Sequence, residues 1–222
     1  MAHLILIDQG PPDLVYLGCK TSDNNSSSTV TFTGCPFGTP RGDRIIIIGI
    51  GTFSDNIASV TIAGNSAALA SGSTAKTPSP FPYCGGIYSL ALPTGTSGNI
   101  SLTASGTTSI ANSPSVQIYA AYGLQSATSV DGASAIQGVP TNSVNVAVKN
   151  AGIVVAFTLF QVIGGSPSVI WGGVSKDNQT EYGPNQVSSA SYGPAPSAST
   201  LTVSDTLGAD SRAPDLSVAS FR

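Results

Sequence analysis

Along most of the chain apolar residues alternate with polar ones, and a period of two is the mark of a strand with one wet face. Val30 and Phe32 alternate with Thr31 and Thr33; Ile100, Leu102 and Ala104 with Ser101, Thr103 and Ser105; Val144, Val146 and Val148 flank Asn145 and Ala147. Two runs depart from this pattern, Ile45-Ile46-Ile47-Ile48 and Ile153-Val154-Val155-Ala156-Phe157. Apolar on both faces, they are expected to lie centrally in a sheet or beneath another segment. Between the runs stand dense breakers such as Gly10-Pro11-Pro12, Thr39-Pro40-Arg41-Gly42, Gly164-Gly165-Ser166-Pro167 and Gly193-Pro194-Ala195-Pro196. The pattern predicts about a dozen short strands, no helix beyond a turn or two, and an all-β sandwich or barrel.

The strands repeat. Ser59-Val60-Thr61-Ile62-Ala63-Gly64 recurs in outline as Ser168-Val169-Ile170-Trp171-Gly172-Gly173, and each follows a doubly apolar run introduced by a glycine, Gly42 or Gly152. Ile87 to Leu90, Ile100 to Thr103 and Val116 to Tyr119 are answered by Val187 to Ala190, Leu201 to Ser204 and Leu216 to Ala219, at offsets of about 100 to 109 residues. Two related halves follow, roughly 13–115 and 116–222, behind an N-terminal arm over residues 1–12. The strand Val116 to Tyr122 at their junction is apolar enough to sit in a shared core. With four or five strands counted per half and no flexible linker between them, the expectation is one jelly-roll-like or Ig-like β-sandwich rather than two small tandem ones.

Composition narrows the function. Only 8 basic and 11 acidic residues, 9% of the chain, are present where about a quarter is usual. Ser and Thr, about a quarter of the residues, must therefore wet the surface. A net charge of −3 leaves no basic field for a phosphate backbone or an anionic membrane, so neither nucleic acid nor membrane is an expected partner. The start of the chain has no positive region and an apolar run of only four, too short for a signal peptide or a span. Cys19, Cys35 and Cys84 are odd in number and fit no zinc spacing, so buried free thiols are expected.

Chemistry is thinly supplied, and no catalytic, metal-binding or cofactor-binding residue is assigned. The one histidine, His3, lies in the arm, which leaves neither a serine nor a cysteine nucleophile a base elsewhere. Asp177 and Glu181, in a stretch read as a polar loop facing outward, are the one close acidic pair outside the termini, equally compatible with a solvated turn or a calcium-stabilised loop. Arg41-Gly42-Asp43 matches an adhesion tripeptide, but its glycine also has a structural task before Ile45. Trp171, Tyr182 and Tyr192 are the residues that would face a glycan if the protein bound one, although a lone tryptophan in a predicted strand is more often core.

The layout Gly-Asp-Arg-Ile-Ile-Ile-Ile at 42–48, Ile118-Tyr119-Ala120-Ala121-Tyr122-Gly123, Gly-Ile-Val-Val-Ala at 152–156 and the closing Leu216-Ser217-Val218-Ala219-Ser220-Phe221-Arg222 resembles the β-sandwich structural proteins of tailed-bacteriophage virions. The resemblance covers roughly residues 13 to 222. It implies a non-enzymatic head-decoration, head-fibre or minor tail component, located in the virion and needing no cofactor. Its partners would be a major capsid or tail protein and further copies of itself. The alternative from another class is a carbohydrate-binding module of a receptor-binding appendage, with a host surface glycan as partner. For subunit contact the expected residues are Leu4, Ile5, Leu6 and Ile7, too apolar to lie in water and able to pair with an edge strand of a neighbour.

Overall fold

The structure, a computed structural model, describes residues 10–22, 27–78, 82–105, 112–136, 141–165, 167–183, 185–208 and 211–222. The apolar quartet Leu4 to Ile7 and His3 lie outside the described residues. Strands of the first half are β1 (Asp13–Thr21), β2 (Thr29–Pro36), β3 (Ile45–Phe53), β4 (Asn56–Ile62), β5 (Asn65–Ser66), β6 (Ala68–Leu69), β7 (Ala75–Lys76), β8 (Tyr83–Ala91), β9 (Ser97–Ser105) and β10 (Asn112–Tyr122). Those of the second are β11 (Asp131–Ile136), β12 (Thr141–Val148), β13 (Ile153–Val162), β14 (Ile170–Gly172), β15 (Ser175–Tyr182), β16 (Asn185–Tyr192), β17 (Ser199–Thr206) and β18 (Ser211–Phe221). No helix occurs among the described residues.

The halves repeat strand for strand. The first forms a sheet β1-β10-β3-β8-β6, with β7 also on β8, and a sheet β2-β9-β4-β5. The second forms β11-β18-β13-β16-β15 and β12-β17-β14, the same order at equivalent places. All ladders are antiparallel. First and last strands of each half are neighbours, and successive long strands alternate between the two sheets, which is the jelly-roll arrangement. The all-β jelly-roll sandwich of two related halves read from the sequence is thus the fold observed.

The count of sandwiches differs from the expectation. Each half closes its own two-sheet sandwich, and the two stack through their inner sheets, so that four sheets lie in layers. Three cores separate them. Ile46, Ile48 and Ile50 of β3 face the first half's outer sheet, with Val30, Phe32, Val60, Ile62, Ile100 and Leu102. Ile45 and Ile47 face the other way, onto Val155, Phe157, Ala219 and Phe221 of the second half. Val154 and Ala156 of β13 then face the outer sheet of that half, against Val146, Val148 and Val203. The two doubly apolar runs are central strands, each serving two cores with its alternate residues. Strands such as β15 and the two-residue β5, β6 and β7 carry too few apolar residues to register in the sequence pattern. That is why fewer strands are expected than the eighteen found among the described residues. The strand at the junction, β10, pairs with β1 and β3, so the first half runs through Tyr122.

Serine and threonine occupy two distinct places. On the outermost faces they form cross-strand ladders, Thr29 with Thr103 at 3.1 Å, Thr31 with Ser101 at 2.9 Å and Thr141 with Thr206 at 3.1 Å. Their hydroxyls supply the polar coat that the scarce charges do not. Ser115, Ser188, Ser189 and Ser217, by contrast, are buried on the inner sheets. There the small side chain, rather than the hydroxyl's affinity for water, suits two sheets packed closely face to face.

Candidate functional site

The residue types that carry chemistry are used chiefly to join sheets. On one flank of the contact between the halves, Gln117 of β10 accepts from Tyr16 Oη at 2.7 Å, Asn178 Nδ2 at 3.3 Å and Ser189 Oγ at 3.3 Å. Beside it the Tyr119 hydroxyl donates to Asp177 Oδ2 at 2.8 Å, and the Tyr16 and Tyr119 rings meet edge to face with centroids 5.3 Å apart. Burial raises the Asp177 carboxyl above its ordinary pKa, against the opposing hydrogen bonds of Ser191 and Tyr119. On the other flank the Tyr83 hydroxyl donates to Asn185 Oδ1, and Tyr182 Oη donates to Ser113 O at 2.8 Å.

These positions revise the expectation for the stretch around Asp177. It is not an outward loop but the edge strand β15, which pairs with β16 from Ser175 to Tyr182. Asp177 and Glu181 stand four residues apart on an extended strand, about 13 Å at 3.3 Å per residue. Among the described residues no cluster of three or more His, Cys, Asp or Glu side chains is placed to hold a metal.

The three aromatic residues that could face a glycan do not share a surface. Tyr182 is buried in the core between the halves. Trp171 and Tyr192 pack against the core between the second half's own sheets, and the Trp171 indole donates through Nε1 to Ser188 Oγ at 2.9 Å. Trp171→Phe keeps most of the packing and removes that bond, so it should cost about 1 kcal/mol of stability. Urea denaturation of Trp171→Phe, Ser188→Ala and the double variant checks this, since a shared bond makes the two losses less than additive.

The thiols and the tripeptide also have structural places. Cys35 and Cys84 are buried and Cys19 half-buried, all three free, and burial pushes the Cys19 and Cys84 thiols up to about 11. A thiol so shifted is a poor nucleophile at neutral pH. Arg41 and Asp43 turn toward each other, with Nε–Oδ1 at 2.9 Å and Nη2–Oδ2 at 2.6 Å. Asp43 also accepts from Gly123 N at 2.7 Å, so the tripeptide clamps the β2–β3 turn onto the end of β10. The Arg41 guanidinium holds the Asp43 carboxyl below its ordinary pKa.

Two buried acids of the second half escaped the sequence reading, Asp215 on the inner sheet and Asp205 on the outer one. Asp215 accepts from Leu159 N at 2.8 Å through Oδ1, while Oδ2 has no partner and faces Gly85 of the first half. Asp205 accepts from Asn142 N at 3.2 Å, with the Thr158 and Asn142 side chains beside it. Burial raises the pKa of both carboxyls, Asp215 well above the ordinary value. The folded protein therefore holds a proton on Asp215 at pH values where the unfolded chain has released it. Stability from this group is complete below about pH 4, the unfolded pKa, and declines as pH rises toward the folded one. Asp215→Asn removes the titration, so the variant should gain on wild type between pH 4 and pH 7 in urea midpoints. An unchanged difference across that range would refute the assignment.

A concave surface lies elsewhere on the described residues. At the open edge of the first sandwich, Val15 and Leu17 of β1, Gly38 and Thr39 of the β2–β3 turn, and Tyr122 line a groove of about 390 Å³, with Asp13 and Arg41 at its rim. The Tyr122 hydroxyl donates to Thr39 O at 3.0 Å, and Arg41 lies 4.8 Å over the same ring. This wall is therefore preformed. Val15, 38% exposed, is among the few large apolar residues left open. The sequence pattern marked Arg41 and Tyr122 but gave no sign that they meet beside β1.

No helix among the described residues is long and apolar enough to cross a membrane. No protein-family model matches the chain, and no curated protein does. A solved structure described as "The Triple Jelly Roll Fold and Turret Assembly in an Archaeal Virus" is similar at 11% identity and a TM-score of 0.20, over 96% of this chain and 60% of that one. This chain thus spans about 60% of that protein's length, and the likeness is too slight to bear on fold or role.

Proposed function

We propose that the protein is a non-enzymatic structural component of a virus particle, of the head-decoration or head-fibre kind found in tailed phages, acting by contact between subunits. The observation that carries this reading is where the reactive side chains go. Tyr83, Tyr119, Gln117 and Asp177 are spent on tying two jelly rolls into one stack. The outward faces offer uncharged hydroxyl ladders. Such a body is suited to holding shape and touching neighbours, and jelly rolls are a recurrent choice for viral shells. Lectins share the architecture, but Trp171, Tyr182 and Tyr192 form no common stacking platform here.

Quantifying the chain in gradient-purified particles from the cells that make it is the test. Hundreds of copies per particle indicate shell decoration and a handful indicate a fibre or tail part; recovery only as free protein overturns the reading. Deleting residues 1–12 should abolish incorporation while leaving a folded double sandwich, because β1 starts at Asp13.

A further inference from the structure

We infer that Asp205, Asn142 and Thr158 form the seat of a monovalent cation, of sodium or potassium size, inside the second sandwich. The site is independent of the assembly reading and stands or falls apart from it.

Strand register brings the three residues together. Asn142 of β12 and Trp171 of β14 are the cross-strand neighbours of Asp205 on β17. On the facing sheet Thr158 of β13 has Leu216 and Ser188 as its neighbours. The bond from Trp171 Nε1 to Ser188 Oγ at 2.9 Å joins these two rows across the sandwich. Asn142, Asp205 and Thr158 are each no more than 1% exposed, and the Asn142 and Thr158 side chains lie against the Asp205 carboxyl. Asp205 Oδ1 accepts from Asn142 N. Asp205 Oδ2, Thr158 Oγ1 and both amide atoms of Asn142 approach one another without completing a hydrogen bond.

The first half shows what packing alone requires at these places. Leu201 to Ser204 answer Ile100 to Thr103, so Asp205 stands where the first half has Ala104. Thr158 lies opposite Leu216 as Ile50 lies opposite Val116, so Thr158 stands where the first half has Ile50. Ala104 and Ile50 are members of an apolar core. Filling a jelly roll at these two positions therefore needs neither an acid nor a hydroxyl. Burying such groups without partners costs about 1–3 kcal/mol each, and more for a charge.

The chemistry of the atoms selects the ligand. A carboxylate, an amide carbonyl and a hydroxyl are oxygen donors, the kind that suits a hard cation. Among the described residues no lysine or arginine pairs with Asp205. One carboxylate balances one positive charge, whereas a divalent ion would leave a net charge in the core. A proton on Oδ2 makes one hydrogen bond and so engages one of the other two oxygens. A cation among them engages all three, and water can supply the rest of its shell.

Urea denaturation of the full-length protein at mildly alkaline pH and constant ionic strength tests the site, with sodium or potassium chloride exchanged stepwise for tetramethylammonium chloride. The tetramethylammonium ion is too large to enter. The small cation should raise the midpoint along a single-site curve. At ten times its dissociation constant the folding equilibrium constant should be about elevenfold higher. Asp205→Asn and Thr158→Val keep the shape of the side chains, so both variants should fold and lose that dependence. Midpoints indifferent to the exchange overturn the inference, as does a gain that survives in both variants. Stabilisation by calcium chloride where sodium and potassium give none overturns it as well. In crystals soaked in thallium(I) acetate an anomalous peak among the three oxygens supports the site, and water there without such a peak overturns it.

Discussion

Phe157→Ala should lower the free energy of unfolding by about 3–5 kcal/mol, the range for truncating a fully buried aromatic residue. Phe157 lies on β13 and projects into the first half over a floor of glycines. A methyl group placed on Gly49 would come within 2.7 Å of Phe157 Cβ, and one on Gly51 within 3.0 Å of the ring. The floor is backbone of the central strand β3, hydrogen-bonded on both sides, so it cannot sink to fill the space the ring leaves. The loss should fall at the upper end for that reason. Gly49→Ala should also destabilise, by about 1–3 kcal/mol, because both the Phe157 Cβ and its ring must give way to the added methyl. Truncation removes the ring atoms 2.8 Å from the added methyl but leaves the Cβ of residue 157 at 2.7 Å, so in Phe157→Ala/Gly49→Ala the clash is relieved only in part and the two costs should fall short of additive. Guanidinium denaturation of the four proteins is the measurement, and strict additivity would show that the halves do not meet at this point.

Arg44→Ala should cost about 3 kcal/mol or more. The side chain is fully buried, and its guanidinium donates to Leu92 O at 2.7 Å through Nε, to Gly38 O at 3.1 Å and to Thr94 O at 2.6 Å. Three carbonyls from two turns converge on one planar donor set, which suits arginine and not lysine. Truncation leaves those acceptors without a donor, at about 1–3 kcal/mol for each one that water cannot reach. Arg44→Met keeps the volume without the donors, so it should recover little of the loss. Arg44→Lys should recover part, since an ammonium can reach some of the carbonyls. Should Arg44→Met match wild type in denaturant midpoint, packing rather than the three bonds would be what holds the turns.

The linear pattern placed Phe157 in a central run but gave no sign that Arg44 is buried. Arg44 stands beside an apolar run, where a charged residue normally signals the exposed end of a strand. Its burial depends on carbonyls about fifty residues away in the chain. Asp215 sits in a closing segment whose alternation is apolar and small, and nothing local indicates that a second sandwich covers it. The groove at Val15 has the same origin: its wall comes from Tyr122 and from a turn some twenty residues beyond β1.

Much else followed from local chemistry. Alternation of Val, Ile and Leu with Ser and Thr dictates strands, because a period of two puts one kind of residue on each face. Ile45 to Ile48 and Ile153 to Phe157 had to be central for want of a wet face, and the recurrence of the order near 100 residues implied two like halves. The number of sandwiches was another matter. Whether a doubly apolar strand is covered by its own half or by the other depends on which surfaces are left over once each half has closed. That is a property of three-dimensional packing, invisible to any window of sequence. The contact through glycines and Phe157 resolved it, since large side chains at Gly49 and Gly51 would have held the two inner sheets apart.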